Sequence, residues 1–306
     1  MKKLLILVLV ILGLVSCSNL EESPAEVKYL NSLGEEEVLV INKTDDENEV
    51  LEIFRNLKQI KPNRVNFNGA EFKVFSKLSG SLEIETKEQI DVQVGYEMNL
   101  DLKSNLKNFL FEGNLNLDGF TKTDSNSLTL NDSYKIASDI FNDEKFWYFD
   151  LNFNFGNSKG ESKLKMVNPE FQGDISQYIK SSITLLDYYN LFQILNITEE
   201  MVSFYNVTID STTKDTFTIK LLMPISDSVL IETYVGIDCE KLLPIYAYIN
   251  ASEMIAEALK EQYIDEYLTT DVTVKDTEFL VRLDIEYGNY KITEKLEEYK
   301  QTFIEI

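Results

Sequence analysis

The chain's most regular pattern lies in Ile90–Lys103, which reads IDVQVGYEMNLDLK. Apolar residues stand at every second position of this segment and alternate with polar ones: Ile90, Val92, Val94, Tyr96, Met98, Leu100 and Leu102. Successive side chains of a β-strand point to opposite faces, so the alternation predicts a long strand with one apolar and one polar face. Strands with one solvated face are typical of antiparallel sheets, because parallel strands are usually buried on both sides.

The same alternation recurs along the chain. It is found in seven further segments, at 72–84, 109–117, 147–155, 217–223, 229–237, 243–249 and 279–287. Several of these segments are longer than the typical strand of about five to six residues. Long antiparallel strands twist and coil. The pattern therefore predicts a large curved antiparallel sheet whose concave side is apolar.

Helical periodicity appears in five places. In Asp46–Ile60 apolar residues are spaced by three and four positions, and Thr44 or Asp45 can cap the first turn. The other predicted helices are Asp174–Leu195, a short helix that begins at Thr198, Ser252–Ile264 and Thr293–Phe303. The predicted fold class is α+β, a large curved antiparallel sheet with helices covering the concave face. No Gly/Ser-rich linker divides the chain, so residues 44–306 are predicted to form one domain.

The N-terminus has the pattern of an export signal. Lys2 and Lys3 precede the apolar run Leu4–Leu12, and the run leads to Leu14-Val15-Ser16-Cys17. This arrangement resembles that of bacterial lipoproteins, in which the cysteine that matches Cys17 carries a diacylglyceryl group. Residues 1–16 are thus predicted to be a lipoprotein signal peptide, and residues 17–43 a lipid-anchored tether and leading segment. The alternative is a transmembrane anchor, but the run is shorter than the roughly 20 residues that span a bilayer.

Composition excludes several classes of function. The 306 residues include 29 Lys plus Arg, 52 Asp plus Glu and no His, which gives a net charge of −23. Such an acidic chain is a poor partner for nucleic acid, whose binding begins with neutralisation of phosphates. Without histidine there is no Ser–His or Cys–His nucleophile and no His-ligated metal. Two cysteines cannot form a Cys-rich zinc site, so neither a metal nor a cofactor is expected.

A hairpin in the second half of the chain resembles a known family. Tyr234–Ile249, with Asp238 in the turn and Leu243-Pro244 after it, is similar to a strand pair of LolA-like lipoprotein carriers and of LppX/LprG-type lipoproteins. Glu278–Tyr290 resembles the closing strand of the same family. The resemblance implies an incomplete antiparallel barrel with helices in its open mouth, and acyl chains held between sheet and helices.

Five aromatic residues are candidates for lining such a lipid cavity. Trp147, Phe149 and Phe153 share one face of a predicted strand, whereas Tyr188 and Phe192 lie on the predicted central helix. The alternative for all five is ordinary packing of helix against sheet in a filled core.

The sequence therefore predicts an extracytoplasmic, monomeric protein that binds or carries an apolar ligand and is attached to the cell membrane through Cys17. A different class stays open, namely a structural or protein-interaction surface lipoprotein with a filled core and no ligand. An enzyme is not expected, although a pair of carboxylates for glycoside hydrolysis could be hidden among the 52 acidic residues.

Replacing the lipidation residue tests the predicted attachment. In a host that processes lipoproteins, Cys17→Ser should abolish incorporation of labelled palmitate and move the protein from the membrane fraction to the soluble or precursor fraction. The control is Cys239→Ser, which leaves the N-terminal signal intact. Equal labelling of both variants would contradict lipidation at Cys17.

Overall fold

The structure is a computed structural model, and it describes residues 23–61, 67–85, 89–105, 110–126, 129–143, 145–167, 192, 197–226, 229–267 and 272–306. This part of the chain is mostly β, with 63% of it in strands. Its strands are β1 Ala25–Leu30, β2 Glu36–Ile41, β3 Gly69–Glu85, β4 Gln89–Asn105, β5 Leu110–Ser125, β6 Thr129–Asn142, β7 Phe146–Phe155, β8 Ser158–Val167, β9 Thr208–Thr213, β10 Thr216–Pro224, β11 Leu230–Asp238, β12 Pro244–Asn250, β13 Val272–Gly288 and β14 Ile304–Glu305. Its helices are α1 Glu47–Gln59, α2 Glu199–Phe204, α3 Ser252–Tyr267 and α4 Glu297–Lys300.

Twelve of these strands form one open sheet. Their order is β14-β8-β7-β6-β5-β4-β3-β13-β12-β11-β10-β9, and β1 pairs separately with β2. All neighbours in the sheet are antiparallel except β14 and β8, which are parallel. The sheet is not closed into a barrel. The large antiparallel sheet predicted from the alternation is thus confirmed, with a parallel edge strand that was not foreseen.

The register places alternate residues of neighbouring strands on a common face. Leu117 on β5, for example, lies opposite Met98 on β4 and Ile136 on β6. Ile136 in turn lies opposite Phe153 on β7. We call this side the apolar face; in the strands from β3 to β8 it includes Val74, Leu78, Met98, Leu100, Leu115, Leu117, Ile136, Ile140, Phe149, Leu151, Phe153 and Leu164. The other side is the polar face, and it carries Asn99, Asp101, Asn114, Asn116, Asp118, Lys135, Asp139, Asp150, Asn152 and Asn154.

One end of the apolar face is packed under α1, α2 and the β1–β2 hairpin. Phe54 and Leu57 of α1 are buried in one cluster with Phe217 of β10 and Ile237 of β11. Helix α1 lies in the predicted segment but begins at Glu47, and its cap is Asp46 instead of the predicted Thr44 or Asp45. The Asp46 side chain accepts hydrogen bonds from the backbone N–H groups of Asn48 (2.9 Å) and Glu49 (3.0 Å).

Helix α3 packs further along the same face. Its residues Leu259 and Tyr263 contact a buried cluster that contains Leu82, Val92 and Val272, at one end of β3, β4 and β13. The helix predicted at Asp174–Leu195 lies outside the described residues except for Phe192. Helix α4 is shorter than the predicted Thr293–Phe303, because residues 293–296 are not helical and residues 301–303 form a turn.

The C-terminal segment, residues 289–306, crosses the polar face. It starts after β13 in the middle of the sheet and ends as β14 beside β8 at one edge. On the way Tyr299 and Phe303 pack against Phe141 and Tyr148, whose rings are stacked with centroids 4.6 Å apart. Lys300 is only 6% exposed and forms ion pairs with Asp143 at 3.0 Å and Glu297 at 2.9 Å.

Backbone hydrogen bonds cover part of each edge of the sheet. At β9 the N–H groups of Ser23 and Glu26 donate to the carbonyl oxygens of Thr212 (3.3 Å) and Lys214 (3.0 Å), and Thr44 and Ile209 bond to each other. At the other edge β14 pairs with β8, with Ile304 opposite Leu164. Covered edges limit the pairing of one sheet with another.

Removing the aromatic ring that fastens the C-terminal segment should destabilise the fold. Phe303 is 5% exposed, and its ring lies 5.6 Å from that of Phe141 and 5.3 Å from that of Tyr148. Phe303→Ala should therefore lower the free energy of unfolding by about 3 kcal/mol, measured by urea denaturation. Ile306→Ala is the control, because Ile306 is 70% exposed, and its effect should stay within about 0.5 kcal/mol. Equal effects would contradict this packing.

Candidate ligand-binding face

The part of the apolar face on β4 to β8 is less covered than the rest. Its side chains are only partly buried, and none of them belongs to a buried cluster of the described residues. We call this part the open section; it consists of Leu100, Leu102, Leu115, Leu117, Ile136, Ile140, Trp147, Phe149, Leu151, Phe153, Leu164 and Met166. Across the strands it measures roughly 19 Å, since neighbouring strands lie about 4.8 Å apart.

Three of the five predicted cavity residues lie in the open section. Trp147, Phe149 and Phe153 alternate along β7 and share the apolar face. The Trp147 ring lies 5.4 Å from the ring of Phe111, and the Phe153 ring lies 5.6 Å from that of Phe155. Phe155 continues the row toward solvent and is 48% exposed. The structure thus brings these β7 side chains together in one aromatic row.

Phe192 lies elsewhere on the same face. It is 2% exposed, and its ring centroid lies 5.3 Å from that of Phe54 and 6.1 Å from that of Phe217. It therefore belongs to the packed cluster under α1, eight strand positions from β7 along the sheet. Tyr188 and Cys17 lie outside the described residues.

Two strands of the open section were missed in the sequence. Strand β6 contributes Ile136 and Ile140, but Asp132 and Ser138 interrupt its alternation on the apolar side. Strand β8 contributes Leu164 and Met166 only in its second half. The signal that could have found them is the register of the preceding hairpins, because a strand that follows a tight turn must continue the same face.

Two glycines shape the open section. A Cβ at Gly113 would overlap the backbone of Asp101 and Leu102 on β4, so only glycine permits this close approach of β4 and β5. At Gly160 on β8 a Cβ would instead meet the tip of the Phe153 ring, which lies over the glycine. Phe153 thereby lies flat against β8 and widens the apolar surface.

The polar face opposite the open section carries paired charges. Lys135 and Asp118 lie 2.6 Å apart, and Asp150 accepts a hydrogen bond from the Tyr299 hydroxyl at 2.6 Å and pairs with Lys163 at 3.1 Å. Burial would raise the pKa of the Asp150 carboxyl, but the bonds from Tyr299 and Lys163 outweigh it and hold that pKa below its usual range. A solvent-open concavity of about 730 Å³ lies beside these groups, lined by Asn116, Asn152 and Asn154 among others.

Chemical reactivity is low at the cysteine that the structure describes. Cys239 is 3% exposed, and burial together with the nearby carboxylates of Asp238 and Asp215 raises the pKa of its thiol to about 12. The thiol is therefore protonated at neutral pH and not a nucleophile. Within the described ranges no group of three or more His, Cys, Asp or Glu side chains is arranged to hold a metal ion.

No family model, curated protein or solved structure matches the chain. Of the helices in the described part, none combines the length and apolar composition that crossing a membrane requires. The resemblance of Tyr234–Ile249 to LolA-like carriers accordingly stays a prediction from the sequence.

The two glycines should respond differently to an added methyl group. Gly113→Ala places the methyl against backbone, which two strands hold in place, and should lower the free energy of unfolding by about 2 kcal/mol. Gly160→Ala is the matched control, because the ring tip of Phe153 can move aside, and it should cost less. Urea denaturation of both variants checks this order, and a larger loss for Gly160→Ala would contradict it.

Proposed function

We propose that this chain is a lipid-anchored extracytoplasmic protein that binds an apolar ligand on the open section of its sheet. The ligand class is an acyl lipid or the acyl chains of another lipoprotein. One observation carries the proposal: the face stays apolar across β4 to β8, whereas the described helices pack mainly on other strands. A contiguous apolar surface whose side chains are only partly buried is typical of interaction sites in proteins.

The energetics favour an acyl chain over a polar ligand. Each methylene group that leaves water contributes about 0.8 kcal/mol, so a long chain can be held without any charged partner. The centre of the open section offers Leu117, Ile136 and Phe153, which lie opposite one another on three adjacent strands. The nearby charged side chains lie on the polar face: Asp118 opposite Lys135, and Lys159 opposite Asn154. The centre of the open section is therefore aliphatic and aromatic.

The membrane is the second partner in this proposal. A diacylglyceryl group on Cys17 would hold the protein at the outer surface of the cell membrane, as a monomer and without a cofactor. The charge of −23 keeps the body of the protein off anionic headgroups, so the lipid anchor rather than a basic surface would hold it there.

The proposal includes helices that cover the apolar face. Strand β8 ends at Val167 near one edge of the sheet, whereas Phe192 packs against Phe217 of β10 near the other edge. The position of Phe192 beside Phe217 on the apolar face supports the prediction that the helix at Asp174–Leu195 lies over this face.

The alternative is a structural or interaction lipoprotein without a ligand. The close packing of Phe192, Phe54 and Phe217 favours it at the α1 end of the sheet, because that end is filled by side chains. If other side chains of the protein fill the open section, it binds no fatty acid. The protein would then act through binding of protein partners at its outer surface.

Quenching of the single tryptophan distinguishes the two functions. Trp147 lies at the margin of the open section, so a brominated fatty acid bound there should quench its fluorescence in a saturable way. The protein used begins at Ser18, which keeps every residue that the structure describes. Ile136→Asp puts a carboxylate in the middle of the open section and should weaken binding at least tenfold, which corresponds to about 1.4 kcal/mol.

The matched control is Ala137→Asp. Ala137 is the next residue on β6 and lies opposite Asn116 and Asn152 on the polar face, so the same charge there should leave quenching unchanged. Absence of saturable quenching in the unmodified protein, or equal loss in both variants, would contradict ligand binding on the open section.

A further inference from the structure

The β1–β2 hairpin exposes an unusual set of apolar side chains. Leu30 is 68% exposed, Leu33 81%, Val38 46% and Val40 51%. All four lie within eleven consecutive residues, and we call them the hairpin patch. Isolated apolar residues on a surface are ordinary, but a contiguous group on one element indicates a contact surface.

Strand register separates the hairpin patch from the core. Ala25, Val27 and Ile41 point inward and are fully buried. Val38 and Val40 lie opposite Lys28 and Glu26 on the other side of the hairpin. The outer side of the hairpin therefore carries apolar side chains that do not contribute to the core, next to the charged residues Glu26, Lys28 and Glu36.

The turn of the hairpin holds Leu33 in a fixed outward position. The Asn31 side chain accepts hydrogen bonds from the backbone N–H groups of Leu33 (2.9 Å) and Glu35 (3.0 Å). Gly34 takes the left-handed conformation that closes the turn, with φ at +79°. Asn31 also donates to Glu37 at 2.8 Å, which joins the turn to β2. A turn whose backbone is already ordered loses little backbone entropy when it binds a surface.

Chain length places this surface next to the membrane. Ala25, the first residue of β1, follows Cys17 by only eight positions, and eight residues span at most about 28 Å. We infer that the hairpin patch rests on the outer surface of the bilayer that holds the anchor, with Leu33 inserted among the lipid headgroups and upper acyl chains. This inference rests on the proposed anchoring of the chain at Cys17.

The charge of the hairpin selects the kind of membrane. Glu26, Glu35, Glu36 and Glu37 outnumber Lys28, so the hairpin is acidic. Attraction to anionic lipid is thereby excluded, and apolar insertion alone supplies the contact. Contact is stronger with zwitterionic phosphatidylcholine than with phosphatidylglycerol, and added salt reduces the difference between them.

The test uses the full, lipidated chain in phosphatidylcholine vesicles with an environment-sensitive fluorophore at Leu33→Cys. Lipid occupies the thiol of Cys17, and Cys239 is buried, so the new thiol takes the label. The matched control is Leu296→Cys, because Leu296 is 77% exposed but belongs to the C-terminal segment on the polar face. The label at residue 33 should emit at shorter wavelength and be quenched by aqueous iodide several-fold more slowly than the label at residue 296.

Failure of the inference and failure of the anchoring give different results. A chain that does not float with the vesicles overturns the anchoring and with it the membrane contact of the hairpin. A chain that floats but whose labels at 33 and 296 are quenched equally overturns the hairpin contact alone. Val38→Cys provides a second position in the hairpin patch, so that the result does not depend on one variant.

Discussion

The antiparallel register of the long strands is the constraint on which the structure depends. From β3 to β8 each strand places its apolar residues opposite those of its neighbours, as Met98, Leu117, Ile136 and Phe153 do in one row. A shift of any strand by one residue would turn its apolar residues to the polar face, where Asp118 and Lys135 form their ion pair. Burial of one face and pairing of charges on the other therefore select the same register.

The parts of the sheet that stabilise the fold differ from the part proposed to bind a ligand. At the α1 end and under α3, helices bury the apolar face, and the clusters there are dry and filled. On the polar face the C-terminal segment adds an aromatic cluster around Phe141 and Tyr148. The open section lies on the β8 side of the sheet, beyond the regions packed by α1 and α3, and none of its residues belongs to these clusters.

Local patterns predicted the parts of the fold that depend on local physics. The alternation of Ile90–Lys103 predicted β4, and the spacing of apolar residues in Asp46–Ile60 predicted α1, although the predicted cap, Thr44 or Asp45, was wrong and Asp46 takes that role. Strand β6 was missed because Asp132 and Ser138 break its pattern, and only pairing with β5 and β7 holds it in place. The terminal helix was predicted too long because Tyr299 and Phe303 pack in a cluster with residues of distant strands. No local pattern in the sequence indicates this contact. Trp147 and Phe153 could be placed on one face because the alternation along a single strand is a local pattern. The position of Phe192 beside Phe54 could not be predicted, because it depends on contacts between distant parts of the chain.

The covered edges have a consequence for how the protein is made. One edge is bonded by Ser23 and Glu26, which precede all twelve strands of the sheet, and the other by Ile304 and Glu305 of β14. Because β14 is the last of the twelve strands in chain order, the β8 edge lacks this partner while the other eleven strands form. During that interval the edge can pair with strands of other chains, so loss of β14 would favour aggregation.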